Sequence, residues 1–293
     1  MTATTVGFVG LGLMGQGFTQ RLAEKSYRVV GFDLDDSKTK AATAWGVTPA
    51  KSAAEVADAA DIVLVCVINT AAVEEVAVGP HGLIAARNAT GKIMVDHSTT
   101  NLETTKRIAS SLEQRGMMFV DAPVSGGPGA AKAGTLAIMA GGAEAAISKI
   151  TPIMRDLGTI THMGPIGTGQ ATKLVNQTIV LTNFCVLAEA FRLAQAYGVD
   201  AAKIPQALKS GFAGSNMLTP VFPQMLAEDF APRGFARQVL KDLEMLQEAA
   251  AARHLAMPMA SQALTLYRLL IASGKSELDA AAVVTLYPPG DVL

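Results

Sequence analysis

The sequence is poor in the features that mark several classes of protein. Among its 293 residues are two cysteines, 5% aromatic residues and a formal net charge of −1. Two isolated thiols, Cys66 and Cys185, disfavour a disulfide scaffold and are typical of a reducing compartment, so we expect a cytoplasmic protein. The balanced charge lacks the basic excess of a nucleic-acid-binding protein. Nucleic acid is therefore not an expected partner.

Long apolar runs and clustered metal ligands are also missing. A run such as Ile62–Ile68 is far too short to span a bilayer, and no basic segment precedes the first apolar run. We therefore expect neither a membrane span nor a signal peptide. Four histidines are scattered along the chain, and their spacing indicates no metal site. Half of the residues are apolar, which is enough for a substantial globular core.

The first half of the chain alternates short apolar runs with segments of helical period. We predict strands over Thr5–Gly10, Arg28–Asp33, Asp61–Val67, Lys92–Asp96, Met117–Asp121 and Thr135–Ala140. The segments Met14–Lys25 and Leu102–Arg115 carry apolar residues at helical spacing. Continuous Val, Ile and Leu runs are typical of parallel strands that are covered on both faces. The alternation predicts an α/β fold that begins with a Rossmann-like, doubly wound sheet.

The second half of the chain has the pattern of an all-α domain. Gln170–Tyr197 contains neither Gly nor Pro, which predicts a helix about 42 Å long at ~1.5 Å per residue. Because Ile179–Phe191 is apolar on nearly every face, we expect this helix to be buried between domains or in an oligomer interface. Further helical patterns cover Ala201–Ser210, Phe235–Arg253 and Met259–Ser273. We expect a homodimer or a homotetramer.

A glycine-rich loop follows the first predicted strand and precedes the first predicted helix. The first glycine permits a tight turn, the second lets the backbone approach a pyrophosphate, and the third allows close packing of helix on strand. The N–H groups that open the helix then face the diphosphate. The pattern predicts a dinucleotide-binding loop composed of Gly10, Leu11, Gly12, Leu13, Met14 and Gly15.

The end of the second predicted strand bears on the choice of dinucleotide. Asp33 follows Gly15 by 18 residues, where a carboxylate accepts a hydrogen bond from the ribose 2′-hydroxyl. The same carboxylate repels a 2′-phosphate, and the next residues, Leu34-Asp35-Asp36, offer no basic side chain to attract one. We therefore expect NAD as the cofactor, with NADP possible but less favoured.

A segment after the fifth predicted strand is suited to a small carboxylate. Ser125, Gly126 and Gly127 lie among small residues, so that backbone N–H groups and a hydroxyl are available to an anion. A plain connecting loop rich in Gly and Pro is the alternative interpretation. From residue types alone both interpretations remain open.

A second polar group opens the long helix. Lys173, Asn176 and Gln177 share one face of it by their spacing. Partial burial would lower the pKa of Lys173 and suit the amine to proton transfer. The alternative is a solvated lysine in the first turn, with an amide beside it by chance.

Together these motifs resemble the β-hydroxyacid dehydrogenase family, which includes 3-hydroxyisobutyrate dehydrogenase and tartronate semialdehyde reductase. The resemblance extends over nearly the whole chain. It implies an NAD-binding Rossmann-like domain over residues 1–164 and an all-helical substrate and dimerisation domain over residues 165–293. Besides the glycine-rich loop, it rests on Asp96-His-Ser-Thr99, Asp121-Ala-Pro-Val-Ser-Gly-Gly127, Gly134-Thr-Leu-Ala-Ile-Met139, Gly169-Gln-Ala-Thr-Lys173 and Lys241-Asp242-Leu243.

The resemblance implies a role for each matching residue. Lys173 matches the catalytic lysine, and Asn176 or Gln177 would hold the substrate oxygen beside it. The segment from Ser125 to Gly127 matches the loop that binds the substrate carboxylate. The implied contacts with the cofactor are made by Val67, Ile68, Thr99 and Lys241.

Some positions depart from the family pattern, and they concern the substrate. Gln177 stands where many members carry Asn, and Ile68 stands where Pro is common. Lys173-Leu-Val-Asn-Gln177 and Gly211-Phe-Ala-Gly-Ser215 are similar to the tartronate semialdehyde reductases. Arg237 would bind a second anionic group if it faces the cleft, and a solvated helix arginine is the alternative.

The implied activity is a reversible hydride transfer between NAD(H) and a short 3-hydroxy acid. Tartronate semialdehyde, which is reduced to D-glycerate, is the leading expectation, and 3-hydroxyisobutyrate or another 3-hydroxy acid is the alternative. Imine reductases share the architecture but usually carry Asp or Tyr where this chain has Lys173. A non-catalytic nucleotide-binding scaffold is an alternative of a different class, and Lys173 argues against it. The expected partners are a small carboxylate and further copies of the chain, with no membrane and no metal.

Overall fold

The computed structural model describes residues 4–290, which form two compact units. The first unit extends to Lys173 and is called the sheet unit below, and the second begins at Leu174 and is called the helical unit. The division falls inside one long helix, so the first turns of that helix belong with the sheet.

Within residues 4–290, nine strands form one sheet in the order β3-β2-β1-β4-β5-β6-β8-β7, with β9 paired to β8. The first six positions have the order expected of a Rossmann sheet. All pairs among them are parallel. The strands are β1 (Thr5–Val9), β2 (Arg28–Phe32), β3 (Thr48–Pro49), β4 (Ile62–Val65), β5 (Ile93–Asp96), β6 (Met118–Asp121), β7 (Val124–Ser125), β8 (Leu136–Gly142) and β9 (Gly158–Gly164).

Helices cover both faces of this sheet. Because successive strand residues point to opposite sides, Phe8 belongs to one buried apolar cluster and Val9 to the other. The first cluster includes Phe18 and Leu22 from the helix after the glycine-rich loop. The helices of this unit are α1 (Leu13–Glu24), α2 (Asp36–Ala42), α3 (Ala53–Ala59), α4 (Thr70–Val78), α5 (Leu102–Glu113), α6 (Gly127–Ala133) and α7 (Glu144–Leu157), with short 3-10 turns at Thr43–Trp45 and Leu83–Ala85.

The predicted α/β fold is confirmed, and all six predicted strands are present. Five have slightly shorter bounds than predicted, and the sixth extends two residues farther, to Gly142. The sheet is not parallel throughout, because at one end β8 runs antiparallel to β6 and β7. Three strands lacked a signal in the sequence. β3 and β7 have two residues each, and β9 is mostly exposed at the sheet edge, so none of them contains a buried apolar run.

The helical unit is built mainly around the long helix α8 (Thr168–Ala196). Predicted helix 201–210 is shorter than expected, since only a 3-10 turn at Ala201–Lys203 and α9 (Ile204–Leu208) are formed. Helix α10 (Leu218–Leu226) was missed because Pro220 and Pro223 argue against a helix there. The remaining helices are α10 (Leu218–Leu226), α11 (Ala236–Ala251), α12 (Pro258–Ala272) and a final 3-10 segment, Ala280–Leu286.

One buried carboxylate organises the irregular part of the helical unit. Asp279 Oδ1 accepts from Gln224 Nε2 at 2.8 Å and from the N–H of Ala281 at 3.0 Å. Its Oδ2 accepts from the N–H groups of Arg233 at 2.7 Å and Gly234 at 3.1 Å. The segment 229–234, which precedes α11, lies outside helices and strands. Asp279 therefore supplies the hydrogen-bond acceptors that backbone pairing with a neighbouring strand would otherwise provide.

Helix α8 is apolar along much of its length, but it is not covered on every face. By length and composition alone it could cross a bilayer, yet a single helix of this kind is weak evidence for a membrane protein. In the helical unit, apolar side chains at helical spacing remain exposed, namely Val175, Ile179, Val186 and Leu193. These exposed side chains leave burial in an oligomer interface as the form of the expectation that stays a prediction.

Candidate active site

The glycine-rich loop has the geometry that a dinucleotide requires. Gly10 has φ +97°, and a Cβ there would lie 2.2 Å from the carbonyl oxygen of Cys66. A Cβ on Gly15 would lie 2.0 Å from the carbonyl oxygen of Gly10, so close packing of α1 on the loop excludes any side chain. The space above Gly12, the residue before α1, is open. The loop thus leaves room for a pyrophosphate at the start of the helix.

Asp33 is held in place beside this loop. Its Oδ2 accepts from the N–H of Leu11 at 2.7 Å, and its Oδ1 accepts from the N–H of Asp35 at 2.9 Å. The ammonium of Lys38 lies 3.7 Å from Oδ1 and 3.5 Å from a carboxylate oxygen of Asp35. Lys38 lies two residues beyond the Leu34-Asp35-Asp36 segment, and its ammonium partly neutralises this end of the site.

Buried carboxylates end the two neighbouring strands β5 and β6. Asp96 and Asp121 are partners in the parallel register. Asp96 Oδ1 accepts from the N–H of Ser98 at 2.9 Å, and its Oδ2 accepts from the hydroxyl of Thr100 at 2.6 Å. Burial raises the pKa of Asp121 to about 6, with a smaller contribution from the charge of Asp96, whereas backbone hydrogen bonds oppose the rise.

Asp121 holds the start of helix α8. Its two oxygens accept from the N–H groups of Gly167 and Gln170, each at 2.8 Å. The amide of Gln170 in turn donates to the carbonyl oxygen of Ser98 at 2.8 Å and accepts from the N–H of Thr100 at 3.0 Å. The ends of β5 and β6 therefore fix the first turn of the helix that carries Lys173.

Lys173 is buried rather than solvated. Its side chain donates from Nζ to the carbonyl oxygen of Val124 at 2.7 Å, and the residue is 8% exposed. Val124 directly precedes Ser125 in strand β7, which pairs with β8. The ammonium is thus placed at the segment that was predicted to bind the substrate carboxylate. The interpretation of Lys173 as a solvated first-turn lysine is wrong.

The segment after Val124 turns sharply into a short helix. Gly126 has φ +134° and Gly127 has φ +72°, so both have a backbone conformation that favours glycine. Ser125 is half-buried, and Gly127 begins α6. The first N–H groups of a helix have no acceptor within the helix. This local geometry provides a hydroxyl and backbone N–H donors one residue from the acceptor of Lys173.

The remaining cofactor-side predictions fall at two other strand ends of the sheet unit. Val67 follows β4, and its N–H donates to the hydroxyl of Ser98 at 3.0 Å. Ile68 is about half exposed. Thr99 is half-buried between Ser98 and Thr100, which are both held by the network around Asp96. These positions lie at the carboxyl ends of parallel strands, where ligands bind in open α/β sheets.

The polar residues of the helical unit form a separate cluster. Asn176 donates from Nδ2 to Gln177 Oε1 at 2.7 Å, and Gln177 donates from Nε2 to Asp242 Oδ2 at 2.5 Å. The ammonium of Lys241 lies 3.1 Å from the other oxygen of Asp242. Both ends of the Gln177 amide therefore have protein partners. Of the two amides, Asn176 has more hydrogen-bonding capacity left for a ligand.

Arg237 has partners of its own within the helical unit. Its Nε donates to Glu277 at 2.8 Å, and its guanidinium lies 4.3 Å from the centre of the Phe235 ring. The bond to Arg237 lowers the pKa of Glu277 from its ordinary value. An anionic ligand would have to compete with this carboxylate, which favours the interpretation of Arg237 as a surface arginine.

Several residues of this site were not singled out from the sequence. Gln170 and the strand-end aspartates act through hydrogen bonds to distant residues, and they stand in the motifs that carry the resemblance although no role was assigned to them there. His97 is another, with a buried imidazole whose Nδ1 lies 2.6 Å from the carbonyl oxygen of Ala122. Over the described residues 4–290, no three His, Cys, Asp or Glu side chains are placed to hold a metal ion.

Comparison with known families covers both units. A model described as the NAD binding domain of 6-phosphogluconate dehydrogenase matches residues 5–165. A second model, described as NAD-binding of NADP-dependent 3-hydroxyisobutyrate dehydrogenase, matches residues 167–287. The boundary between the two matches lies in the segment that Asp121 ties to the sheet.

Individual relatives match the chain from end to end. The 2-hydroxy-3-oxopropionate reductase of Escherichia coli is 35% identical over 95% of each chain. The NAD-dependent L-serine dehydrogenase of Pseudomonas aeruginosa is 34% identical over 97% of this chain and 98% of its own. The crystal structure of 3-hydroxyisobutyrate dehydrogenase from Salmonella typhimurium has a TM-score of 0.88 and 26% identity, and it covers 97% of this chain and 100% of its own. The chain therefore belongs to the β-hydroxyacid dehydrogenases, enzymes that use NAD or NADP as their redox cofactor.

Proposed function

We propose that this enzyme catalyses reversible hydride transfer between NAD(H) and a short 3-hydroxy acid, with tartronate semialdehyde and D-glycerate as the preferred pair. The observation that carries the proposal is the buried ammonium of Lys173, bonded to the carbonyl oxygen of Val124. That bond places a proton donor one residue from Ser125 and the N–H groups of Gly126 and Gly127. A single short substrate with a carboxylate and a carbonyl group at position 3 fits both features.

The residues of the sheet unit are proposed to bind the carboxylate, to hold the cofactor and to transfer the proton. Ser125 and the backbone N–H groups of Gly126 and Gly127 bind the substrate carboxylate, which orients the reacting carbon. NAD, when bound along the glycine-rich loop and Asp33, supplies the hydride acceptor, and NADH the donor. Lys173 donates a proton to the carbonyl oxygen during reduction, and in oxidation the amine accepts the hydroxyl proton.

In the helical unit, Asn176 is proposed to hold the substrate oxygen, since its amide keeps free hydrogen-bonding capacity. Gln177 is proposed to orient Asn176, because its own amide is engaged by Asp242. Lys241 is proposed to contact the cofactor, as its place in the Lys-Asp-Leu motif implies.

The choice of substrate rests on two local patterns and one relative. Lys173-Leu-Val-Asn-Gln177 and Gly211-Phe-Ala-Gly-Ser215 are similar to the tartronate semialdehyde reductases, and the Escherichia coli relative carries the name of that activity. 3-Hydroxyisobutyrate and L-serine are the competing substrates, because relatives of similar identity are named for them. All three share a carboxylate and differ in the group on the neighbouring carbon.

A substrate panel followed by nicotinamide absorbance tests the proposal. Tartronate semialdehyde is offered with NADH and with NADPH, and D-glycerate, 3-hydroxyisobutyrate, L-serine and L-threonate with NAD⁺ and NADP⁺. We expect the highest kcat/KM for tartronate semialdehyde with NADH, and loss of that turnover in Lys173→Ala. Higher kcat/KM for another acid would overturn the substrate, and full turnover by Lys173→Ala would overturn the site.

We further propose that copies of the chain associate through an apolar surface of the helical unit. This surface comprises Val186, Leu193, Tyr197, Leu208 and Phe212, which are all exposed in the single chain. Phe212 is fully exposed at the rim of an apolar groove. Because one surface carries both a protruding ring and a groove, two copies can pair about a twofold axis.

The oligomer is tested by molar mass in solution, measured by light scattering after size exclusion. We expect the mass of a dimer or a tetramer for the wild-type enzyme and a smaller species for Leu193→Glu. Leu269→Glu is the matched control, since Leu269 is equally exposed but lies on α12. A monomeric wild type, or equal effects of both variants, would contradict this surface.

A further inference from the structure

His97 is a buried histidine to which the proposed chemistry assigns no role. The residue is 3% exposed, and its Nδ1 lies 2.6 Å from the carbonyl oxygen of Ala122. Burial lowers the pKa of His97 to about 4, so the ring is neutral near pH 7. A carbonyl only accepts, so Nδ1 carries the proton. Nε2 is buried and has no hydrogen-bond partner among residues 4–290.

The acceptor of this bond lies in the segment that forms the proposed substrate site. Three consecutive carbonyl groups of that segment have donors. Ala122 accepts from His97, Pro123 accepts from the N–H of Met139 at 3.1 Å, and Val124 accepts from Lys173. Two of the three donors are side chains. One of them is the proposed proton donor, and the other is His97.

The other contacts of His97 lead to the cofactor side of the sheet unit. Its ring stacks on Phe18, with ring centres 5.0 Å apart and planes 21° apart. Phe18 belongs to α1, the helix that follows the glycine-rich loop. The N–H of His97 donates to the carbonyl oxygen of Val65 at 2.8 Å, at the end of β4. The imidazole therefore lies between the support of the dinucleotide loop and the substrate segment.

We propose that His97 is a positioning residue: its Nδ1–H holds the carbonyl group of Ala122 and thereby sets the place of Val124 and Ser125 relative to the dinucleotide loop. The inference rests on the proposed roles of Lys173 and Ser125. If the bond is lost, the segment 122–125 shifts and carries with it both the acceptor of Lys173 and the binding group for the carboxylate. A misplacement of about 1 Å costs up to ~100-fold in rate.

Two amide substitutions separate the hydrogen bond from the bulk of the ring. In His97→Asn the amide nitrogen is attached to Cγ, as Nδ1 is, and it can donate to Ala122. In His97→Gln the nitrogen is one bond farther out, as Nε2 is, and it leaves Ala122 without its donor. His97→Leu removes the donor altogether.

Steady-state kinetics with the preferred substrate of the panel test the proposal, together with NAD⁺ binding followed by fluorescence. We expect kcat/KM of His97→Asn to stay within about threefold of the wild type, and that of His97→Gln and His97→Leu to fall ~10- to 100-fold. The fall should include a higher KM for the acid, with unchanged affinity for NAD⁺. The pH profile of kcat/KM should change in His97→Gln and not in His97→Asn.

The outcomes distinguish this inference from the proposed function. If Lys173→Ala is fully active, the site assigned to the proposed function is wrong. If Lys173→Ala is inactive while His97→Leu keeps wild-type kcat/KM, only the role of His97 fails. The role of His97 also fails if kcat/KM falls equally in His97→Asn and His97→Gln and the fall parallels the decrease in their melting temperatures. A purely structural histidine would behave in that way.

Discussion

Buried carboxylates serve different purposes in the two units. In the sheet unit, Asp121 accepts from two backbone N–H groups at the start of α8, and β6 itself is already held by its ladder. In the helical unit, Asp279 accepts from four donors around a segment that has no ladder. The first carboxylate orients the helix that carries Lys173, the proposed proton donor. The second replaces secondary structure.

This difference predicts where stability and activity separate. Burial raises the pKa of Asp121, which means that its charged form is destabilised in the folded protein. A carboxylate that is destabilised in this way is typical of functional sites. Substitutions of Lys173 and of the residues that position it should therefore change turnover more than stability, and substitutions around Asp279 should do the reverse.

The largest effect is expected from Lys173→Ala. Removal of a general acid–base group lowers kcat by about 10³-fold, equivalent to about 4 kcal/mol, while NAD⁺ binding stays nearly unchanged. Stopped assays with the preferred acid and a nucleotide titration measure the two quantities. Lys92→Ala is the matched control, since Lys92 is also buried in the sheet unit and donates to the carbonyl oxygen of Ala60. It should reduce stability and leave kcat within about twofold.

The next largest effect is expected from Asp279→Ala, on stability. Loss of the carboxylate leaves the buried donors of Gln224 and Ala281 and the partly buried N–H groups of Arg233 and Gly234 unpaired, which costs about 3 to 4 kcal/mol of unfolding free energy. Urea denaturation followed by circular dichroism measures this loss. Asp200→Ala removes an exposed capping carboxylate of the same unit and should cost about 1 kcal/mol or less. A stable Asp279→Ala enzyme with reduced turnover would reverse the comparison.

Asp121 predicts a dependence of stability on pH. Because its pKa is raised to about 6 in the folded protein, its contribution to stability is fully present below the unfolded pKa near 4 and is lost as the pH rises through 6. The unfolding free energy of the wild type minus that of Asp121→Asn should fall by about 2 to 3 kcal/mol between pH 4 and pH 7. Denaturation at several pH values measures it. A difference that does not vary with pH would show that the carboxylate is not destabilised by burial.

The smallest effect is expected at Lys38. Its ammonium screens Asp33, so Lys38→Ala should weaken NADP⁺ binding relative to NAD⁺ binding by about twofold to threefold. Calorimetric titration with both nucleotides measures the ratio, and added salt should reduce the difference. Lys40→Ala is the control, because Lys40 is exposed on the same helix and has no ion pair with Asp33 within the described chain, residues 4–290. Equal effects of both variants would indicate net charge alone.

The sequence predicted the parts of the molecule that depend on local periodicity. Apolar runs and glycine spacing were sufficient for β1, β2 and the dinucleotide loop, because each depends on neighbouring residues. Strand β9 and helix α10 were missed, since an exposed edge strand lacks an apolar run and prolines argue against a helix.

The candidate site was predictable in its chemistry but not in its supports. Lys173 and Ser125 come from motifs, and the roles assigned to them remain predictions. The bonds from Asp121 to Gly167 and from Lys173 to Val124 join residues more than 40 positions apart. No local pattern specifies such a pair. The contact between Lys38 and Asp33 was not predicted, because it depends on the turn between Asp33 and helix α2, which brings Lys38 back toward Asp33.

The order of residues around the two carboxylates has a consequence for folding during synthesis. Asp121 leaves the ribosome before the N–H groups of Gly167 and Gln170 that donate to it. The start of α8 can therefore bind to Asp121 as soon as it emerges. Asp279 comes 46 residues after Arg233 and 55 after Gln224. The donors of both residues are therefore synthesised first, and they lack this acceptor until Asp279 emerges. At ~5–20 residues per second this interval lasts seconds. During that time the nascent segment 229–234 is the natural target of chaperones and proteases.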